Sequence, residues 1–135
     1  LRCCFQHPFR GMIALDNRPA ARRLVSVRVL RDLGDQLGPG TSRQFVVDYV
    51  RLWDSRYSRL VSALHNTDFA AAMDVVLSIK TASQMAGAER LAKLAAEAQD
   101  LVRSQDHAGL VALLEPLEQC GQATMHELGQ VLHGL

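Results

Sequence analysis

The sequence predicts an all-α fold, an antiparallel four-helix bundle with an additional N-terminal helix. Three observations carry that reading. Hydrophobic residues make up 48% of the 135 residues and aromatics 5%, so the core is aliphatic and suits helices better than short strands. Apolar residues then recur at helical spacing over long stretches. Finally, the breaks between those stretches are a few residues long, which makes consecutive helices antiparallel neighbours. A single domain of this length buries a substantial core.

Residues 1–22 show no clean periodicity and are interrupted by Pro8, Gly11 and Pro19. They are expected to form a flexible basic arm, with the bundle domain spanning 23–135. In 24–37, Val25, Val27 and Val29 alternate as a strand would, while Val27, Leu30, Leu33 and Leu37 step as a helix. The helical pattern is longer and ends at Gly38-Pro39-Gly40, so a helix is expected, packed as a lid across one end of the bundle. Thr41 and Gln44 have the spacing of a capping box, which starts the next helix at Thr41. Phe45, Tyr49, Leu52, Trp53, Tyr57, Leu60 and Leu64 form its apolar face. His65-Asn66-Thr67 ends it, and Asp68 caps a third helix running to about Met85.

Gly87 punctuates the chain before a fourth helix near Ala88, whose stripe is Leu91, Leu94, Ala95, Ala98, Leu101 and Val102. Asp106 caps a fifth, with Leu110, Leu113, Leu114, Leu117, Gly121, Thr124, Leu128, Val131 and Leu132 inward. Pro116 lies inside it. The stripe continues in phase on both sides, so the proline should bend the helix rather than end it.

The net charge of +1 hides an asymmetry: residues 1–31 carry seven arginines against Asp16, and the remainder carries eight basic and thirteen acidic residues. The basic arm has neither interleaved aromatics nor a helix-long basic stripe. Charge alone gives it no nucleic-acid site, and it reads as solvated or self-docking. No run of about 18 apolar residues is available to span a membrane. No secretory signal is readable, and three cysteines, two of them adjacent, make no disulfide framework. The expected location is the cytoplasm.

One segment carries chemistry by its order of residues: Leu77-Ser78-Ile79-Lys80-Thr81-Ala82-Ser83-Gln84-Met85-Ala86-Gly87-Ala88. It resembles the signature of histidine-containing phosphotransfer (HPt) domains, roughly His-x-Leu-Lys-Gly-Ser/Ala-Ser/Ala-x-x-x-Gly-Ala. Ile79, Lys80, Ala82, Ser83, Gly87 and Ala88 fit, while Leu77 stands in place of the histidine and Thr81 in place of the first glycine. Asp68, nine residues before Leu77, and the pair Leu33-Gly34 also resemble the family, and the resemblance covers about 27–132. It implies a four-helix phosphorelay domain of two-component signalling whose phosphate carrier is missing. Leucine has no nucleophilic atom, so the expectation is a pseudo-HPt protein, not an enzyme and without a cofactor. It would bind a response-regulator receiver domain or a sensor kinase and carry no phosphate.

A helical wheel gives a separate view. At about 100° per residue, Phe69, Ala72, Val76, Ile79 and Ser83 share the inward face, and Leu77 lies about 120° from its centre. Asp74, Thr81 and Gln84 lie beside Leu77. The expected partner-binding residues are therefore Leu77, Lys80, Thr81, Gln84 and Asp74, with Leu77 at the degenerate phosphosite. In the family, Lys80's position carries a positive charge near the phosphoryl group, and the glycine at Thr81's position allows close approach.

Each residue also has a plainer reading. A lone exposed leucine is common, and Lys80 can be an ordinary solvated lysine. The alternative for the whole chain is a structural interaction bundle with no link to phosphorelays. His7, His65, His107, His126 and His133 lack a Lys-Gly neighbourhood and are weak substitutes for the missing histidine. Ser78, Thr81 and Ser83 would form phosphate esters, which lack the transfer potential of phosphohistidine. Glu-x-x-His pairs for a bundle di-metal site are absent. Cys3, Cys4 and His7 lack a fourth ligand at metal-binding spacing. No glycine-rich phosphate loop or Ser/His/Asp nucleophile context occurs.

Overall fold

The computed structural model describes residues 24–133, and these are all helix and short connections. The arm 1–22, with Cys3, Cys4 and His7, lies outside the described residues. Five helices follow in order: α1 (Val27–Leu37), α2 (Pro39–His65), α3 (Phe69–Met85), α4 (Glu89–Arg103) and α5 (His107–His133). α2 packs on α3, α3 on α4, α4 on α5 and α5 back on α2, which closes an antiparallel four-helix ring. The helical reading of the sequence is the architecture observed.

α1 closes one end, as the lid reading expected. Ser26 caps it by accepting from the Val29 amide at 3.2 Å. The Ser26 amide donates to Gly87 O at 2.8 Å, tying α1 to the α3–α4 turn. Gly87 has φ 75°, and a Cβ there would meet Ser26 O and the Val29 side chain, so glycine is needed both for the turn and for the close approach. Leu24 and Val25 are buried ahead of the helix. Helix therefore begins three residues later than the pattern from residue 24 suggested. The Val25 amide donates to Glu127 Oε2 of α5 at 2.9 Å.

The capping box did not form. α2 starts at Pro39, two residues before Thr41, because proline at the first helical position has its φ preset and no N–H to leave unmet. Gly38, with φ 87°, turns the chain directly from α1 into α2. Gln44 lies inside the helix and donates to Asp48 Oδ1 at 2.9 Å. The other two caps are as expected: Asp68 Oδ1 accepts from Ala71 N at 3.0 Å, and Asp106 Oδ1 from Gly109 N at 2.9 Å. Pro116 sits within an unbroken α5.

The stripe of α4 (Leu91, Ala95, Ala98, Val102) is buried, as are Tyr49, Trp53, Leu60 and Leu64 of α2 and Leu110, Leu117 and Leu128 of α5. Leu52 departs from the expected α2 face and is 42% exposed. It lies about 60° from Tyr49 and 100° from Trp53, at the edge of the apolar arc.

Candidate functional site

α3 places the family-like segment. Its apolar side is fully committed to the core: Ala72, Val75, Val76, Ile79, Ala82 and Ser83 are buried. Leu77 is 37% exposed, on the opposite side of the helix. Asp74, Thr81 and Gln84 are exposed beside it. Four of the five expected site residues thus share one outward face of α3.

Lys80, the fifth, stands apart. It is half-buried and its Nζ donates to Gln99 Oε1 of α4 at 2.9 Å. The ordinary solvated-lysine reading is therefore replaced by a lysine tethered across the α3–α4 seam. That bond also orients the face. Lys80 marks the edge of the face toward α4, and Leu77 lies about 60° from it on the wheel.

Behind the face lies a polar tie that motif reading did not supply. Tyr49 of α2 and Ser83 of α3, both buried, approach to 2.6 Å through their hydroxyls. Burial holds the Tyr49 phenol well above the usual tyrosine range, and the Ser83 hydrogen bond and the Arg56 charge only partly oppose it. The hydroxyl of Ser83 is thus engaged in the core and does not face outward with Leu77. Arg56 of α2 is the other feature missed, because a lone arginine on a helix reads as a solvated charge. Its Nη1 is shielded from solvent.

Elsewhere, the histidines do other work or lie apart. His107 Nε2 contacts Leu64 O at 2.8 Å where α2 and α5 meet, and His126 pairs with Gln130 at 3.3 Å. His65 borders a shallow open groove with Asp54, Tyr57 and Glu118. Burial raises the Tyr57 phenol there, with Glu118 and Glu115 adding to it, and its hydroxyl donates to Leu114 O at 3.3 Å. Among the described residues, no group of three or more His, Cys, Asp or Glu could hold a metal ion. Among the same residues, no helix is long and apolar enough to cross a membrane.

The order and packing of the helices define a fold class, the HPt-type helical bundle. Among solved structures, this chain is similar to histidine-containing phosphotransfer protein B (HptB) from Pseudomonas aeruginosa PAO1. The TM-score is 0.76 at 22% sequence identity, over 83% of this chain and 96% of that one. At this identity the likeness establishes the fold. No family model matches the sequence, and no curated protein matches it.

Proposed function

We propose that this protein is a pseudo-HPt module of two-component phosphorelay signalling, one that docks a receiver domain or sensor kinase and carries no phosphate. The observation that carries the proposal is Leu77. An apolar side chain, 37% exposed, lies on the outward face of α3, at the position that the sequence resemblance aligns with the family's nucleophilic histidine. Apolar residues at protein interfaces gain from desolvation, so a leucine there can grip a partner but cannot accept a phosphoryl group. On this reading Leu77 is the central contact, Asp74, Thr81 and Gln84 flank it, and Lys80 is held ready by Gln99. The protein is then a competitor or adaptor and not an enzyme.

Incubation with phosphorylated receiver domains of the host tests the proposal. Stable binding with the receiver's phosphate retained is the expected result. Acid-labile label moving onto this protein would show a true relay. No contact with any receiver or kinase would favour a structural bundle that shares the fold alone.

A further inference from the structure

The seam between α2 and α5 holds an open groove of about 540 Å³. Asp54, Tyr57, Val61 and His65 line it from α2, and Glu118 lines it from α5. The half-buried Tyr57 ring and Val61, 37% exposed, give it an apolar part. Its fixed charge is one-sided. Asp54 and Glu118 are in the lining, which holds no arginine or lysine. Glu115 joins Glu118 within electrostatic reach of Tyr57, where both oppose ionisation of the phenol. None of these three carboxylates forms an ion pair among the described residues.

The charge that would balance the groove is on the same chain. The 23 residues before Leu24 carry five arginines and a single acid, Asp16. From residue 24 onward there are ten basic and thirteen acidic side chains. Within the basic segment, Arg10-Gly11-Met12-Ile13-Ala14-Leu15 sets a guanidinium beside apolar side chains, the same mixture that the groove would receive. The reach is sufficient. Leu24 is buried, and Val25 next to it donates its amide to Glu127 of α5. Glu118 lies nine residues back along α5, about 13 Å of rise and a net half turn away, so about 20–25 Å over the helix surface. About seven extended residues span that distance. Residues up to about 16 then remain to occupy the groove. Attachment raises the effective concentration of this occupant far above that of a free peptide.

We propose that the α2–α5 groove is the dock of the chain's own basic arm, with Arg10 against Asp54 and Glu118 and residues 12–15 over Val61 and Tyr57. Ion pairs at so exposed a surface are individually weak, so the dock is reversible and salt-sensitive. It involves α2 and α5 and does not rest on the docking role of Leu77.

A nitroxide on Cys4 of the full chain reads the position of the arm by paramagnetic broadening of backbone amides. Cys3→Ser leaves one accessible thiol, because Cys120 is buried. The expected result is broadening concentrated in 54–65 and 115–118, unchanged on dilution. It should be lost in Asp54→Asn combined with Glu118→Gln, and retained in the surface control Asp74→Asn. Arg10→Gln, which leaves the bundle untouched, should lose it as well. Salt at about 1 M, where the Debye length falls to about 3 Å, should weaken it. Broadening centred on another face, or spread evenly over the bundle, overturns the dock. Broadening that survives both Arg10→Gln and the paired carboxylate variant overturns it too. Labelled protein mixed with unlabelled, isotope-enriched protein separates the source of the arm. Equal broadening across chains would place a second copy's arm in the groove and overturn the intramolecular occupant.

Discussion

Tyr49 and Ser83 join α2 to α3 through a 2.6 Å hydrogen bond between two buried hydroxyls, directly behind the face that carries Leu77. The bond fixes the register of the two helices that form the candidate docking surface. A shift of either helix by one residue would leave both hydroxyls buried without a partner.

Tyr49→Phe should therefore lower stability by about 1–2 kcal/mol at neutral pH, because Ser83 Oγ stays buried after losing its partner. It should also change the alkaline limb. The folded phenol titrates above its unfolded value of about 10, so its contribution is fully present below that pH and is lost as pH rises further. Denaturant unfolding from pH 8 to 11 should show wild type falling more steeply above pH 10 than Tyr49→Phe. Parallel curves would mean that Tyr49 is not the titrating group.

Gly121→Ala should destabilise the bundle by about 1–3 kcal/mol through overpacking. A Cβ on Gly121 of α5 would collide with the six-membered ring of the Trp53 indole, which is itself 3% exposed in α2. Trp53 is the sole tryptophan, so its fluorescence reports the displacement directly. An unchanged spectrum and unfolding midpoint would show that α2 and α5 separate there at little cost.

Glu127→Ala should loosen the lid. Glu127 is 6% exposed and accepts from the Val25 amide at 2.9 Å. Removing that acceptor strands a buried N–H, at about 1–3 kcal/mol. Hydrogen exchange should speed up in 25–37 by more than in α4. Uniform acceleration would mean that α1 and the four-helix ring open as one unit.

Local features were legible in the sequence and long-range polar ties were not. The α4 stripe and the caps at Asp68 and Asp106 depend on neighbours within a turn or two, so spacing alone located them. The outward placement of Leu77 followed from an angle on one helix, which no tertiary contact overrides. The Thr41–Gln44 box failed because Pro39, two residues earlier, was the stronger start. The Val25–Glu127 bond spans 102 residues, and the Lys80–Gln99 bond joins two helices. No periodicity encodes either pairing. Arg56 was invisible for a related reason: tertiary packing shields a nitrogen that sequence shows as one more surface charge.

Placing a histidine at position 77 is the sharpest test of the proposed phosphorelay ancestry. Leu77 is 37% exposed and outside the core, so Leu77→His should cost less than about 1 kcal/mol. The new imidazole would lie about 60° around α3 from Lys80, whose Nζ is already positioned by Gln99 at 2.9 Å. Thr81, one turn on and exposed, would still crowd an approaching receiver. The informative protein is therefore Leu77→His combined with Thr81→Gly. Glycine inside a helix costs roughly 1 kcal/mol relative to alanine, and less relative to threonine, a loss this bundle should survive. Circular dichroism first establishes that the double variant is folded. Acid-labile phosphate on the double variant after incubation with phosphorylated receivers, and none on wild type, is the expected outcome. A folded double variant that neither binds receivers nor accepts phosphate from them would mean that the helical bundle persists here without its signalling partners.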